Sequence, residues 1–179
     1  MSSTPDLVVT PDGRARLGAR SYRCALGSGG VRRFKQEGDG GTPAGSFPLR
    51  RLFYRPDRLR RPETALAAQQ LTPADGWCDD PADPNYNRHV KRPFWRGHEV
   101  MWRGDHLYDL IVEVGYNDFP PVPGRGSAIF IHLARPDYGP TAGCVAFNQA
   151  DMLAILRELT PASRLVVEPR PLIQLRLTR

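Results

Sequence analysis

A mainly β, largely antiparallel domain with one amphipathic helix is the fold class the sequence predicts. Three observations predict it. Short runs alternating apolar and polar residues recur between Gly/Pro turns. One stretch, beginning at Asn148, carries the 3.6-residue apolar period of a helix. No apolar run reaches membrane-spanning length. A chain of 179 residues is long enough for one domain with its own core.

The elements follow in order. Leu7-Val8-Val9-Thr10 reads as a short strand, and Pro11-Asp12-Gly13 as a turn. Arg14 to Leu17 returns. Arg20 to Leu26 follows, with Tyr22, Cys24 and Leu26 alternating against Arg23 and Ala25. Gly27-Ser28-Gly29-Gly30 closes this meander. Gly38 to Gly45 is a glycine-rich loop without the Gly-Lys-Ser/Thr ending of a phosphate cradle, so it reads as a lead into a strand from Phe47 to Tyr54. Residues 55 to 106 form a long insertion rich in Pro, Arg, Asp and Trp. Pro62 to Leu71 is expected to be a short helix, with Pro62 in its first turn. The aromatic residues Trp77, Tyr86, Phe94, Trp95 and Trp102 argue for an ordered segment, either a lid or wall over a groove or a cover for a sheet edge. Leu107 to Val114 reads as a strand with Tyr108, Leu110, Val112 and Val114 on one face. Asn148 is an N-cap, and Met152, Ile155, Leu156 and Leu159 mark the buried stripe of the helix. Leu165-Val166-Val167 returns to strand, and Ile173, Leu175 and Leu177 mark a last one.

Composition excludes several functions. The net charge is +6, almost all from arginine, since Lys35 and Lys91 are the only lysines. Such a surface suits an anionic polymer, but no zinc-finger spacing, RNA-binding aromatic motif or helix-turn-helix pattern accompanies it, so nucleic acid is not expected as a partner. Cys24, Cys78 and Cys144 make no disulfide framework; a Cys24–Cys78 bridge stays open for a protein outside the cytoplasm. His89, His98 and His106 with Cys78 match no zinc spacing, and neither metal nor cofactor is expected. Met1-Ser-Ser-Thr-Pro-Asp lacks the basic and apolar regions of a signal peptide.

The chemistry concentrates between Ser127 and Phe147. Ile129, Ile131 and Leu133 point one way along a strand; Ala128, Phe130 and His132 point the other. Arg135-Pro136-Asp137-Tyr138-Gly139-Pro140 turns the chain, and Cys144 follows Gly143 twelve positions after His132. An imidazole on a rigid strand and a thiol returned to it by a tight loop suit a nucleophile–base pair. Gly143 allows close backbone approach, so that N–H groups around Cys144 can face an oxyanion. A lone cysteine is also a common small core residue, and a lone histidine on an apolar face a common packed one.

At these residues the sequence resembles the L,D-transpeptidase (YkuD-type) catalytic domain. Thr141-Ala142-Gly143-Cys144 resembles its Ser/Thr-His-Gly-Cys signature, with Ala142 where a second His is usual. Gly40-Gly41-Thr42-Pro43-Ala44-Gly45-Ser46-Phe47-Pro48 resembles its Gly-x-Thr-Pro-x-Gly-x-Phe-Pro segment. Trp77-Cys78-Asp79-Asp80-Pro81, Tyr86-Asn87-Arg88, Tyr116-Asn117 and Val122 to Phe130 resemble a branch that lacks the second His. The resemblance implies a YkuD-like β-sandwich spanning residues 1–179 as one catalytic domain, with 55–106 as an insertion or lid. It implies Cys144 as nucleophile, His132 as the sole motif base, Gly143 at the oxyanion site, and peptidoglycan stem peptides as substrate in the periplasm or cell envelope. By the same resemblance Thr141, Tyr138, Arg135, Tyr86, Asn87, Arg88, Tyr116 and Asn117 are candidates for substrate binding. Ala146 stands where an Arg is frequent, which leaves Arg135 and Arg88 as candidates for the substrate carboxylate. The crosslink is either diaminopimelate to diaminopimelate (3-3) or L-Ala to diaminopimelate (1-3), and a monomer is expected. Hydrolysis by the same pair, a cytosolic thiol amidase and a non-catalytic peptidoglycan-binding domain are the rivals.

Overall fold

The computed structural model describes residues 4–169. In chain order its elements are β1 (Leu7–Thr10), β2 (Arg14–Leu17), β3 (Arg20–Arg23), β4 (Val31–Arg32), β5 (Thr42–Pro43), β6 (Gly45–Tyr54) and β7 (Ala68–Gln70). There follow β8 (Asp75–Cys78), β9 (His89–Lys91), β10 (His98–Val100), β11 (Leu110–Val114), β12 (Phe130–Leu133), β13 (Val145–Phe147), α1 (Gln149–Glu158) and β14 (Arg164–Val167). The architecture is mainly β and sandwich-like, with one helix.

The main sheet runs β13-β12-β11-β6-β14-β1-β2-β3, with β7 paired to β6. Its two ends meet. Just past β3, the Ala25 N–H donates to the Ala146 carbonyl at 2.8 Å and the Ala146 N–H to the Ala25 carbonyl at 2.9 Å. The sheet therefore curls round one core and leaves little open edge. Inside lie Leu7, Leu17, Leu52, Leu110, Ile131, Val145 and Phe147, all inaccessible to solvent. Met152, Ile155 and Leu156 of α1 pack into the same core. Asn148 caps that helix, its Oδ1 accepting from the Asp151 N–H at 2.9 Å. A bulge shapes β6: Val112 pairs with Leu52 but Val114 with Leu49. The extra residue turns Leu49 and Leu52 to the same face, which simple alternation would forbid.

The outer face of β6, β11 and β12 is apolar too, and the insertion covers it. Phe53, Ile111 and Phe130 pack there with Leu71, Trp77, Met101 and Tyr108. The insertion is built on a small antiparallel sheet, β10-β8-β9. Buried Asp75 ties it together, taking hydrogen bonds from Lys91 at 2.5 Å and from the Thr72 N–H at 2.7 Å, with His89 Nε2 at 2.7 Å. Arg55, also buried, stacks 3.6 Å over the Trp102 ring and donates to the Arg103 carbonyl at 2.6 Å. Arg58 reaches Asp109 at 2.7 Å. These two arginines anchor the segment that carries Arg103 and Tyr108.

Several expectations are corrected. Pro62 to Leu71 is no helix: its end is β7, because pairing with β6 outweighs the alanines' helical preference. The Leu107 strand begins at Leu110, and Tyr108 lies with the outer cluster rather than with Leu110 and Val112. The third strand stops at Arg23, and the strand that carries His132 starts only at Phe130, where the φ of +52° at Ala128 interrupts the extended run. Cys24 and Cys78 are free thiols buried separately, Cys24 in the inner core and Cys78 within β8. His89, His98 and His106 go to different partners: Asp75, the Arg96 carbonyl and Asp109. The strand expected at Ile173 to Leu177 lies outside the described residues.

Candidate active site

β12 turns Ile131 and Leu133 into the inner core, where Ile129 just before it also packs, and Phe130 toward the insertion, as the alternation predicts. His132 shares the Phe130 side. β13 runs parallel beside β12, with Val145 opposite Ile131. Cys144, one residue earlier, therefore arrives beside Phe130. Its Sγ accepts from the Phe130 N–H at 3.3 Å and donates to the Ala128 carbonyl at 3.2 Å. His132 and Cys144 both line one cavity of about 490 Å³ between the sheet, the glycine-rich loop and the insertion.

A backbone carbonyl orients the imidazole. His132 Nδ1 lies 2.9 Å from the Leu133 oxygen. A carbonyl only accepts, so the proton sits on Nδ1 and the lone pair on Nε2. The Tyr108 ring meets the imidazole edge-on at 5.2 Å, and Arg103 lies 5.1 Å over that ring. Burial pulls the His132 pKa down to about 4; the Leu133 carbonyl opposes this, while Arg103 and Arg135 add to it. Burial pushes the Cys144 thiol up to about 12, against the Phe130 N–H, which favours the thiolate. The resting pair is thus a neutral thiol and a neutral imidazole, and no ion pair.

The loop between them is tightly held. Thr141 Oγ1 donates to the Cys144 carbonyl at 2.7 Å and accepts from the Gly143 N–H at 3.1 Å. The Gly143 N–H is therefore engaged, whereas the Cys144 N–H makes no hydrogen bond among the described residues. Gly143 has φ +139°, and a Cβ there would stand 2.8 Å from the Gly41 carbonyl oxygen. Gly143→Ala is expected to cost about 3 kcal/mol and to push the glycine-rich loop off the thiol. A urea titration checks the first effect; an unchanged midpoint would show that the backbone relaxes freely.

The other expected residues divide. Arg135 and Thr141 line the cavity. Arg135 also donates to the Pro140 carbonyl at 3.1 Å. Tyr138 does not line it: with φ +58° it turns the loop, under Arg23 and bonded to Asn148. Tyr86, Asn87, Tyr116 and Asn117 stand behind the cavity with their polar atoms engaged. Tyr86 donates to Glu37 and accepts from the Gly126 N–H; Asn117 Nδ2 reaches the Val122 and Gly126 carbonyls. The Tyr116 hydroxyl donates to the Arg125 carbonyl. Arg88 is exposed and is not among the lining residues. The cavity wall also holds Glu37, Asp79, Glu99, Arg103 and Tyr108, which sequence reasoning missed. The one signal for them is their place in acidic, aromatic-rich segments without the alternation that marks His132.

A β-sandwich-like domain with a thiol and an imidazole facing one cavity is the class that fold and site define. A family model described as the L,D-transpeptidase catalytic domain, YkuD, matches residues 3–167. The chain belongs to that family, whose members act on peptidoglycan. No curated protein matches it. A mutant of the helical cell shape determining protein Pgp2 from Campylobacter jejuni, known by crystal structure, is similar at 13% identity and a TM-score of 0.49. That similarity covers 94% of this chain and 48% of the other, so the chain spans about half of that protein's length.

Proposed function

We propose that the chain is a single cysteine-dependent L,D-transpeptidase domain, working as a monomer on peptidoglycan stem peptides in the cell envelope, on the periplasmic side. The observation that carries this reading is the convergence of Cys144 Sγ and the unbonded Nε2 of His132 on one cavity, with Nδ1 tied to the Leu133 carbonyl.

Cys144 attacks a stem-peptide carbonyl at an L-to-D bond while His132 Nε2 takes the thiol proton. Because both groups are neutral at rest, proton transfer accompanies attack rather than preceding it. The Cys144 N–H is the donor available to the oxyanion, since Thr141 occupies the Gly143 N–H. Thr141 thereby holds the loop, and Arg135 offers a cation to a substrate carboxylate. His132 returns the proton to the leaving amine, and a second stem's amine resolves the thioester into a 3-3 or 1-3 crosslink. The residues Asp79, Glu99 and Arg103 make the insertion a wall of the substrate cavity.

The test is a digest of purified peptidoglycan treated with wild type or Cys144→Ala and read by liquid chromatography with mass spectrometry. New crosslinked dimers with wild type alone are expected, and fragmentation assigns the bond. Shortened monomers without dimers would move the reading to hydrolysis. No difference from untreated material would remove peptidoglycan as substrate.

A further inference from the structure

Residues 103 to 109 bring the insertion back to the main sheet beside His132, and their backbone is gripped from both sides. Arg55 donates to the Arg103 carbonyl at 2.6 Å, and Arg58 to the Gly104 and Asp105 carbonyls at 2.9 and 2.6 Å. The Leu107 carbonyl takes the Leu133 N–H at 2.9 Å, which ties the segment to the residue after His132. Tyr108, so placed, meets three neighbours. Its ring packs against the imidazole at 5.2 Å between centroids and 72° between planes. The Arg103 guanidinium lies 5.1 Å from the ring centroid, and Asp105 holds that guanidinium with two hydrogen bonds at 2.9 and 2.6 Å. The hydroxyl lies beside the Glu99 carboxylate. Tyr108 is 7% exposed and His132 6%, so the contact between the two rings is closed to bulk solvent.

One hydrogen bond does not fix an imidazole. The Leu133 carbonyl holds Nδ1, but the ring can still rock about that bond, and rocking swings Nε2 across the cavity. A packed ring beside it removes that freedom and fills space that water would otherwise enter. We propose that Tyr108 and Arg103 are positioning residues, through which the anchored end of the insertion holds the His132 ring with Nε2 aimed into the cavity and water kept off it. This rests on the transpeptidase reading and gives the insertion a task in the chemistry besides walling the cavity. The Tyr108 ring supplies the contact; Arg103, locked to Asp105, stops that ring from turning away. The charged and titratable groups around the imidazole are Arg103 and Glu99 from the insertion, Tyr108 itself, Arg135 after β12 and Cys144 before β13. Glu37 and Asp79 share the same cavity. Burial and the two arginines all disfavour the imidazolium. Removing the Tyr108 ring admits water, and removing Arg103 deletes a cation, so either change strengthens the imidazole's hold on a proton and brings the acid limb to higher pH.

The experiment measures single-turnover acylation of the full chain by a purified stem-peptide muropeptide, against pH and muropeptide concentration, by intact-protein mass spectrometry. Tyr108→Leu is expected to lower the maximal acylation rate about 30-fold, with half-saturation held within about twofold. Its acid limb should move from about 4 toward the ordinary histidine value near 6.5. Arg103→Met should move the limb the same way. Tyr108→Phe keeps the ring and should keep both rate and limb, whereas a merely structural loss would leave the limb of the folded fraction in place. A wild-type arm needs no variant of Tyr108 to fold. Proton NMR of the imidazole C–H groups, assigned to His132 by their loss in His132→Gln, should show displacement by the tyrosine ring current at neutral pH. An unmoved limb in Tyr108→Leu and Arg103→Met, loss of activity in Tyr108→Phe, or an undisplaced imidazole resonance would each overturn the positioning role alone. Absence of any wild-type acyl-enzyme would overturn the transpeptidase reading instead, while the NMR arm would still report whether the two rings pack.

Discussion

His132→Gln is expected to slow acylation by about 10³-fold, and the wild-type acid limb of that step is expected near pH 4. The sign follows from burial. Only the neutral imidazole can accept the Cys144 proton, and burial disfavours the imidazolium, placing its pKa at about 4. The base form therefore persists well below the ordinary histidine range near 6.5, and activity is lost as the pH falls through about 4. Arg103 and Arg135 hold the value down by repelling a nearby positive charge. On the alkaline side the thiol, pushed up to about 12, contributes no thiolate near neutrality. Alkylation of Cys144 by iodoacetamide should thus be slow at pH 7 and climb with pH. The limb must be read on acylation under single-turnover conditions, so that resolution of the thioester does not contribute. A limb near pH 6.5 would mean that water enters the cavity and solvates the imidazole. Native acylation by His132→Gln would remove this residue as the base.

The convergence of His132 and Cys144 is legible in the sequence for a simple reason. Strand alternation puts His132 on the face away from Ile131, and the short loop with Pro, Asp and Gly keeps Cys144 close to the same strand, which β13 then joins in parallel. The helix from Asn148 is legible because its cap and its apolar stripe agree. Long-range pairing is what local signals miss. Alanines at 65 to 68 suggest helix, yet β6 offers Ala68 to Gln70 an edge to pair with. Tyr108 looks like a member of an alternating strand, yet Arg55 and Arg58 pull its segment into a turn against the insertion. The cavity carboxylates come from residues 37, 79 and 99, and nothing local relates them. The same limit applies to Tyr86, Asn87, Tyr116 and Asn117. Their motif marks them as special, but only the fold shows their polar atoms engaged by backbone groups and by the Glu37 and Trp77 side chains.

Asn87 is where that support bears on chemistry. Its Oδ1 accepts from Trp77 Nε1–H at 2.9 Å and from the Ala128 N–H at 3.0 Å. Its Nδ2 donates to the Tyr116 and Asn117 carbonyls at 2.9 and 2.8 Å. One buried amide thus fastens the insertion, the loop after β11 and the residue whose carbonyl receives the Cys144 thiol. It also adopts φ +55°, which asparagine tolerates better than alanine. Asn87→Ala leaves two donors and two acceptors short of partners, and a loss of about 4 kcal/mol is expected. Asn87→Gly removes the same hydrogen bonds but accepts the backbone angle, so it should be about 1 kcal/mol less damaging. The folded fraction of either variant should acylate about 100-fold more slowly, because a thiol displaced by an ångström leaves the attack geometry. Denaturant titration separates the stability terms, and single-turnover acylation at a denaturant-free concentration reads the chemical one. If Asn87→Ala lost stability but acylated normally once folded, Ala128 would hold Cys144 without help, and the role of Asn87 would end at the fold.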